Sequence, residues 1–353
     1  MAVLPALLAM AELDPSMDGR AFLTSLVLGY EIGTRAGIAL HATSSEYHTS
    51  GALNALAAAA IAARGLKLDA GRTRHALGIA EYHGPRSDMM RCIDFPTMLK
   101  DGSGRGCMAG MSAALLAARD FTGAPALTIE AYDDGALWAD LGQRWTILEQ
   151  YFKPFPVCRW AHPAIACALH LRELHGLTPN VIESVEIETF HEATRLCSDF
   201  PATTEEAQYG VLFPVAAALL DGRVDAATIG PEGLADARLR HLIPCMKLID
   251  TASFNALFPA RRWARLIVHT RDGGRLDSGP MQSQGDLERP LSRDALRAKF
   301  RALADTRFCP EQSMQIEQKV FALKKAECSL RPLLDLVLTR PETSRAGAIR
   351  SVL

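Results

Sequence analysis

Lys153-Pro154-Phe155-Pro156, followed by Arg159-Trp160-Ala161-His162-Pro163, divides this chain into two differently patterned parts. Proline fixes its own φ angle and disfavours helix in the residue before it, so Lys153 and Phe155 are predicted to be extended. The segment is therefore stiff and non-helical, and it carries positive charge. Rigid cations between two folding units suit a small anion, because such junctions are common ligand sites. The alternative is a linker whose lysine only contacts water.

The part before this segment, residues 1 to 150, has the apolar spacing of helices. Ala52–Leu66 is small and apolar on all sides, which is typical of a helix buried among others. Gly106–Asp120 repeats a small residue at every fourth position, which lets another backbone come close, and a glycine-rich loop from Lys100 precedes it. In Phe22–Ile32 one helical face is predicted to consist of Leu23, Leu26, Val27 and Tyr30.

The part after the segment changes periodicity and includes strands. In Val185–Phe190 alternate residues are apolar, as in a half-exposed strand. Ala264–Thr270 and Arg275–Ser278 flank Asp272-Gly273-Gly274, which predicts a hairpin because Asp-Gly supports a tight primed turn. Helical patterns lie between the strands and return after Leu291, so this part is predicted to be α+β.

The composition is that of a soluble globular protein and gives no sign of a nucleic-acid or membrane partner. The chain has 353 residues, enough for two domains, and a net charge of -2, so any anion site must be a local cluster of cations. The 8 cysteines include no Cys-x-x-Cys pair, and neither a zinc site nor a redox motif is predicted. The apolar start Met1–Glu12 is too short to span a bilayer and lacks a basic signal region, so we expect a cytoplasmic protein.

Five blocks, in the same order along the chain, resemble those of the MmgE/PrpD family. The most specific is Phe152–Ile165, which is similar to the family block K-P-[YF]-P-x-C-x-x-x-H-P-A-I. The family includes 2-methylcitrate dehydratase, cis-aconitate decarboxylase and iminodisuccinate epimerase. The other blocks are Gly71–Ala80, Lys100 with Gly110–Ala118, Gln208-Tyr209 before Ala216–Gly222, and Gly285-Asp286 before Pro290–Ser292.

The resemblance implies a mainly α fold in which the end of the chain returns to the helical part. The expected architecture is an all-helical MmgE/PrpD-like domain of residues 1–150 and 290–353, with a smaller inserted α+β lid of residues 151–289. It also implies a homodimer formed through the helical domain. The alternative is that the small-residue helices are only the core of one subunit.

The chemistry implied by the resemblance is removal of a proton next to a carboxylate of a small di- or tricarboxylate, in the cleft between helical domain and lid. The outcome is dehydration, decarboxylation or epimerisation. Such a reaction needs cations for the substrate carboxylates and the carbanion-like transition state, with an acid and a base beside the carbon. It requires neither a metal nor a cofactor. On the resemblance, the catalytic candidates are His48, Lys100, Lys153 and Tyr209.

Each candidate has a plainer interpretation. His48 is a general base or carboxylate ligand by resemblance, but otherwise an ordinary histidine before a helix capped by Thr49 or Ser50. Lys100 is otherwise an exposed loop lysine, and its loop is one residue shorter than the common family block and lacks that block's histidine. Tyr209 is otherwise a core aromatic residue.

A second set of residues is predicted to bind the substrate. The glycine-rich loop offers N–H groups at the start of a helix, where a carboxylate can bind. A salt bridge is the alternative for the arginine of this set, and a structural role at the junction is the alternative for the histidine. The set consists of Arg86, Gly102, Ser103 and His162.

One departure from the family pattern concerns the beginning of the sequence. In the family, a helical stretch with an active-site aspartate and histidine precedes the segment that resembles Ala2–Ala11. No residue of this sequence is assigned those two roles. A catalytically inactive member that only binds carboxylates or assembles is therefore the alternative to an enzyme.

Overall fold

The computed structural model describes residues 2–325 and 328–338, with the backbone alone for residues 133 and 134. The chain forms two compact units. The first comprises the described residues of Met1–Met89, Asp101–Gln150 and Asp294–Leu353, and the second comprises Met90–Lys100 and Tyr151–Arg293. The domain boundaries given by the sequence stay a prediction; residues 90–100, which that prediction assigns to the helical domain, lie in the second unit.

Most of the chain is helical. The α-helices are α1 Val3–Leu13, α2 Gly19–Thr43, α3 Gly51–Gly65, α4 Ala70–His83, α5 Met89–Asp94, α6 Ser103–Ala117, α7 Leu127–Glu130, α8 Ala136–Ala139, α9 His162–His175, α10 His191–Thr194, α11 Thr204–Gln208, α12 Leu212–Asp221, α13 Pro231–Leu234, α14 Ala237–Leu242, α15 Ala252–Asn255, α16 Arg293–Ala304, α17 Pro310–Ala322 and α18 Arg331–Leu338. Short 3-10 turns cover Tyr132–Gly135, Thr146–Glu149, Arg159–Ala161, Pro179–Val181 and Ile243–Cys245. None of the helices in the described ranges combines the length and the apolar character that a membrane crossing requires.

Helices α3 and α6 lie side by side and run in the same direction at the centre of the first unit. A Cβ atom built on Gly106 would be 2.3 Å from the carbonyl oxygen of Gly51, and one built on Gly110 would be 2.2 Å from that of Ala55. The residues of α3 from Ala55 to Ala63 are all buried. The predicted close approach and the predicted buried helix are therefore both confirmed. Helix α6 begins earlier than predicted, at Ser103, so part of the predicted loop is its first turn.

Helix α2 buries a different face from the one predicted. Phe22, Ser25 and Gly29 are buried, and the buried face continues through Gly33. A Cβ atom on Gly29 would lie 2.6 Å from Cδ1 of Ile61, so α2 approaches α3 through its glycines. Hydrophobic spacing does not detect a contact made by small residues. The predicted residues are only partly buried, namely Leu23, Leu26, Val27 and Tyr30.

A buried ion pair that the sequence did not indicate joins α2 to residues 137–147. Arg35 Nε donates to Glu31 Oε2 at 3.2 Å, and the guanidinium also contacts Asp140 and the carbonyl oxygens of Leu137 and Arg144. Burial would raise the pKa of Glu31, but hydrogen bonds from Ile147 N–H, the Thr146 hydroxyl and Arg35 outweigh it and hold the pKa below the usual range. Glu31 therefore stays charged inside the first unit.

The second unit contains a four-stranded sheet in the order β2-β1-β3-β4. Strand β1 pairs in parallel with β2 and antiparallel with β3, which forms a hairpin with β4 through Gly273. Along β1, Val185, Ile187 and Thr189 are buried, so the predicted half-exposed strand is confirmed, as is the hairpin. The strands are β1 Ile182–Thr189, β2 Met246–Asp250, β3 Ala264–Thr270 and β4 Arg275–Asp277.

The described end of the chain packs into the core of the first unit. Ile316 and Leu323 join Leu7 and Leu56 in one cluster of buried apolar residues. Helices α17 and α18 supply the later members of this cluster. The predicted fold class, mainly α with a small α+β part, is confirmed by the predominance of helices and the one small sheet in the described ranges.

Candidate functional site

In the first unit, two helix N-termini lie next to each other. Gly51 N–H, at the start of α3, donates to the carbonyl oxygen of Asp101 at 2.9 Å, just before α6. A Cβ atom on Gly51 would be 2.6 Å from the carbonyl oxygen of Gly102, so only glycine permits this approach. Neither helix is capped by a side-chain hydrogen bond. Because first-turn N–H groups and aligned helix dipoles favour anions, this end of the first unit suits a carboxylate.

His48 lies two residues before Ser50, the N-cap of α3, and is half-buried. Its Nδ1 is 2.9 Å from the carbonyl oxygen of Glu46. A carbonyl oxygen can only accept, so Nδ1 carries the proton and Nε2 of the neutral ring carries the lone pair. The backbone of His48 pairs with that of Asp88 as an isolated antiparallel bridge. Nε2 is therefore the ring atom available to take or deliver a proton.

Ser103 and Gly102 lie beside the start of α3. Ser103 Oγ is 2.8 Å from Ser50 Oγ and accepts from Asn54 Nδ2 at 3.3 Å. Ser50 is the N-cap residue of α3, one of the two cap positions named for this helix, but its hydroxyl bonds across to the neighbouring helix and makes no side-chain cap hydrogen bond. Gly102 has a φ of 66°, a left-handed conformation that favours glycine. The structure therefore brings Gly102 and Ser103 together with the helix that follows His48.

Arg86 is exposed in the non-helical segment after α4, next to Ser87, whose carbonyl oxygen accepts from Thr49 N–H at 2.8 Å. Within the described ranges Arg86 forms no ion pair, so the salt bridge weighed as its alternative is not seen there. One negative group lies at the same end, since Asp101 Oδ2 is 3.5 Å from Ser50 Oγ. This carboxylate offsets part of the positive potential of the two helix ends.

In the second unit, the segment from Lys153 is non-helical, as predicted, and is anchored by Gly285. Phe152 N–H donates to the carbonyl oxygen of Gly285 at 2.9 Å. Gly285 has a φ of 101°, and a Cβ atom there would lie only 2.0 Å from the carbonyl oxygen of Phe152. No other residue type fits this position. Lys153 is exposed beside this anchor.

Arg159, the second cation of the segment, is committed to an internal ion pair. Its side chain is 6% exposed, its Nη2 contacts the Asp286 carboxylate, and its guanidinium lies 5.2 Å from the ring centre of Tyr151. Arg159 Nε and Nη1 are buried without a hydrogen-bond partner in the described residues, so the expectation that both cations of this segment serve an anion stays a prediction. The neighbouring Gly285 and Asp286 thus both contact residues at or near the Phe152–Ile165 block, at Phe152 and Arg159.

Lys100 has a positive φ of 48°, which is unusual for a residue other than glycine. Its ammonium group donates a hydrogen bond to Oε1 of Gln208, whose carbonyl oxygen accepts from Cys158 N–H at 2.7 Å. Strained backbone often marks functional positions. Gln208, the residue before Tyr209, thus contacts both Lys100 and Cys158 of the Phe152–Ile165 block within the second unit. The plainer interpretation of Lys100 as an exposed loop lysine does not fit these contacts.

Tyr209 and His162 are both buried. Tyr209 is 8% exposed, and its backbone carbonyl oxygen accepts a hydrogen bond from Cys197 N–H. Burial raises the pKa of the Cys197 thiol, which disfavours a thiolate beside Tyr209. His162 is 0% exposed, with Nε2 at 3.3 Å from the carbonyl oxygen of Val157 and its ring edge-on to Phe155. These contacts favour the structural role that was the alternative for His162.

Two residues of the candidate site lie inside blocks that the sequence singled out, but their roles did not follow from it. Gln208 binds Lys100, and Asp286 binds Arg159. The sequence around a side-chain amide or carboxylate gives no sign of its partner when that partner is more than a hundred residues away. Over residues 2–325 and 328–338, no group of His, Cys, Asp or Glu side chains is arranged to hold a metal ion.

Comparison with known proteins agrees with this arrangement of blocks. A Mus musculus protein named cis-aconitate decarboxylase is 25% identical over 385 residues, covering 99% of this chain and 76% of that protein. The Aspergillus oryzae cis-aconitate decarboxylase-like protein oryM is 24% identical, covering 91% of this chain and 73% of its own length. The Homo sapiens cis-aconitate decarboxylase is 26% identical, covering 86% and 66%.

Family models match both parts of the chain. The MmgE/PrpD N-terminal domain matches residues 1–142, and the MmgE/PrpD C-terminal domain matches residues 155–323. The two matches follow each other in order and together span most of the sequence. This chain belongs to the MmgE/PrpD family.

Proposed function

We propose that this protein is a lyase that removes CO2 from a small unsaturated tricarboxylate, cis-aconitate or a close analogue, without a metal or organic cofactor. The names of the similar proteins favour decarboxylation over the dehydration and epimerisation that the family resemblance also implies. A binding or assembly protein without turnover is the alternative, and the experiment below separates the two.

The reaction breaks the C–C bond to one carboxylate and releases CO2. The electron pair of that bond enters the carbon skeleton and is spread over the neighbouring double bond and its carboxylate. One proton is then delivered to carbon, which leaves an unsaturated dicarboxylate. The protein must hold the remaining carboxylates, stabilise the negative charge that develops and supply the proton.

The observation that carries this proposal is the paired start of α3 and α6 with His48 beside it. Two parallel helix N-termini without side-chain caps provide N–H donors for a carboxylate, and the Ser50 and Ser103 hydroxyls lie between them. His48 presents Nε2 as its proton-exchanging atom, because Glu46 holds Nδ1. A carboxylate seated at the helix ends would place its neighbouring carbon near a group that transfers protons.

The proposed roles of the second unit's cations rest on sequence position and local contacts. Lys100 is held by Gln208, and Lys153 is exposed in a segment fixed by Gly285. An ammonium group stabilises developing negative charge without a metal. Lys153→Ala and Lys153→Arg test whether Lys153 binds the substrate.

The test is incubation of the purified protein with cis-aconitate, with citrate, 2-methylcitrate and iminodisuccinate as comparisons, followed by NMR. We expect CO2 release and a dicarboxylate product from cis-aconitate, and loss of turnover in His48→Gln. The control is His175→Gln, which alters an exposed histidine in the last turn of α9. If the protein binds these acids but forms no product from any of them, the hypothesis of an enzyme fails and that of a binding protein is supported.

The homodimer and the cytoplasmic location also stay proposals. Helix α3 is buried within one chain, which the alternative of a subunit core explains. Helix α6 does expose apolar side chains at Met108, Leu115 and Leu116, and we propose these side chains as the dimer contact. Light scattering at micromolar concentration tests the dimer, and a clean monomer would contradict it.

A further inference from the structure

We propose that His41 is a positioning residue for His48, which it holds through a hydrogen bond to the backbone N–H and through a ring stack on the residue before it. The inference rests on the proposed role of His48 in proton transfer. It assigns a function to a second histidine that no sequence block singled out.

The geometry is specific. His41 lies in the last turn of α2, and His48 N–H donates to its Nε2 at 3.2 Å. The His41 ring stacks on the Tyr47 ring, with centres 4.3 Å apart and planes 10° from parallel. One imidazole thus contacts the backbone of His48 and the side chain of its neighbour, so it constrains both the position and the direction of the chain at His48.

The hydrogen bond requires a neutral His41. Nε2 can accept from an N–H group only when it carries the lone pair. Burial lowers the pKa of His41, with smaller contributions of both signs from its surroundings, among them repulsion from His48. The ring is therefore neutral around neutral pH and able to act as an acceptor. If it were protonated, Nε2 would become a donor and would turn toward the carbonyl oxygen of His48, 3.4 Å away.

Apart from His41, backbone hydrogen bonds on either side of His48 hold the segment that contains it. Residues 44–50 join α2 to α3 without regular helix, and Tyr47 is well exposed. In two further backbone hydrogen bonds, Met89 N–H donates to the carbonyl oxygen of Tyr47 at 2.6 Å, and Thr49 N–H donates to that of Ser87 at 2.8 Å. These hold the residues on either side of His48. The amide of His48 itself is held by His41 alone among the hydrogen bonds seen in the described ranges.

Positioning of this kind acts on catalysis and leaves binding largely unchanged. The side chain of His48 is oriented by its own bond to Glu46, so a shift of the backbone moves Nε2 relative to the reacting carbon. Misplacement of a catalytic group by about 1 Å costs on the order of a hundredfold in rate. We therefore expect a fall in kcat with a small change in KM.

Two substitutions separate the hydrogen bond from the stack. His41→Phe keeps an aromatic ring for Tyr47 but removes the acceptor, and His41→Gln keeps an acceptor that does not titrate. We expect His41→Phe to lower kcat by about tenfold to a hundredfold with KM changed less than about threefold, and His41→Gln to recover most of kcat. His175→Gln serves as the control. Unchanged kcat in His41→Phe, or equal loss in both His41 variants, would overturn the inference.

A second measurement keeps the result independent of folding and of the proposed reaction. In protein with 15N-labelled histidine, the ring nitrogens of wild-type His41 should show a bare Nε2 and a protonated Nδ1. The amide of His48 should exchange with solvent at least about tenfold faster in His41→Phe than in wild type, since a lost hydrogen bond of ~1.4 kcal/mol is a factor of ten. A protonated Nε2 on His41, or an unchanged exchange rate, would refute the contact. If His48→Gln retains full turnover, the proposed function of His48 fails, and these two readouts still decide whether His41 holds the segment.

Discussion

Replacing Gly110 by alanine tests whether close helix contact, more than helix propensity, determines the stability of the first unit. Gly110 lies in the interior of α6, where alanine would normally stabilise a helix by about 1 kcal/mol. Here the added Cβ would lie 2.2 Å from Ala55 O, 2.7 Å from Ala59 N and 2.8 Å from Ala58 Cβ. Two of these three atoms belong to the backbone of α3, so they cannot move aside alone.

The size of the effect follows from the separation that the methyl group would force. A carbon–oxygen contact normally exceeds about 3.2 Å, so α3 and α6 would have to move apart by roughly 1 Å. A gap of that size forfeits up to about half of each dispersion contact, and some thirty atom pairs at ~0.15 kcal/mol give about 2 kcal/mol. Broken hydrogen bonds and shifted neighbours bring the cost to about 2–4 kcal/mol. After the propensity gain, we expect net destabilisation of about 1–3 kcal/mol.

The matched control is Gly104→Ala in the same helix. Nothing lies within 4 Å of a Cβ atom there, so alanine should be neutral or stabilising by up to about 1 kcal/mol. Urea unfolding followed by circular dichroism gives the free energies, and hydrogen exchange of α3 and α6 peptides localises the change to the first unit. A Gly110→Ala protein as stable as wild type would refute the close-packing account.

Three further predictions concern the second unit. Lys153→Ala should weaken carboxylate binding at least about tenfold, because removing one partner of a desolvated charge pair costs roughly 2–5 kcal/mol. Lys153→Arg should recover only part of the affinity, since the guanidinium is larger and planar. Calorimetry with citrate measures the affinities, and an unchanged affinity in Lys153→Ala would show that Lys153 does not bind the carboxylate. A hydrogen bond from Arg265 holds the pKa of Asp277 well below its ordinary value of 3.8, so the stability it contributes is present above that value and lost as pH falls toward the folded pKa. Acid unfolding of Asp277→Asn, monitored at the sheet, should therefore begin at a higher pH than that of wild type. Identical acid-unfolding curves would show that the Arg265–Asp277 pair does not stabilise the fold. Burial raises the pKa of the Cys167 thiol to about 11, which disfavours the reactive thiolate. In the folded protein, iodoacetamide at mildly alkaline pH should therefore modify exposed Cys245 and leave buried Cys167 intact. Mass spectrometry detects which cysteine is modified, and modification of Cys167 at the rate of Cys245 would contradict the prediction.

Local patterns of the sequence were sufficient for three of the four strands, β1, β3 and β4, and for several of the helices, but β2 was not predicted. The alternation in β1 and the Asp-Gly turn before β4 depend on neighbouring residues, and both are found as predicted. The buried face of α2 could not be predicted in the same way. Its contact with α3 is made by glycines such as Gly29, and a glycine is buried by the approach of a partner helix, which hydrophobic spacing does not report.

The candidate site was predictable residue by residue but not in its pairings. The resemblance pointed to His48 and Lys100, and the structure supplies their partners, Glu46 and Gln208. It also shows that Arg159, a cation in the most specific block, is neutralised by Asp286. Such pairings join residues distant in sequence, and their specificity comes from the geometry of the folded chain. His41 was missed for the same reason, since nothing in α2 marks a histidine that faces a later amide.

The buried Glu31–Arg35 pair restricts how this sequence can change over evolutionary time. Loss of Arg35 leaves the Glu31 charge uncompensated in the interior, at a cost of roughly 3–5 kcal/mol, which is a large part of the stability of a typical domain. Loss of Glu31 leaves Arg35 paired with Asp140 but removes the acceptor of Ile147 N–H. Replacement of both by well-packed apolar residues would be close to neutral, but Arg35 also serves the carbonyl oxygens of Leu137 and Arg144. Those two backbone groups would lose their donor if an apolar residue replaced the arginine. Selection is therefore expected to remove single substitutions at these two positions. Accepted changes should come in pairs, together with further substitutions in residues 137–147.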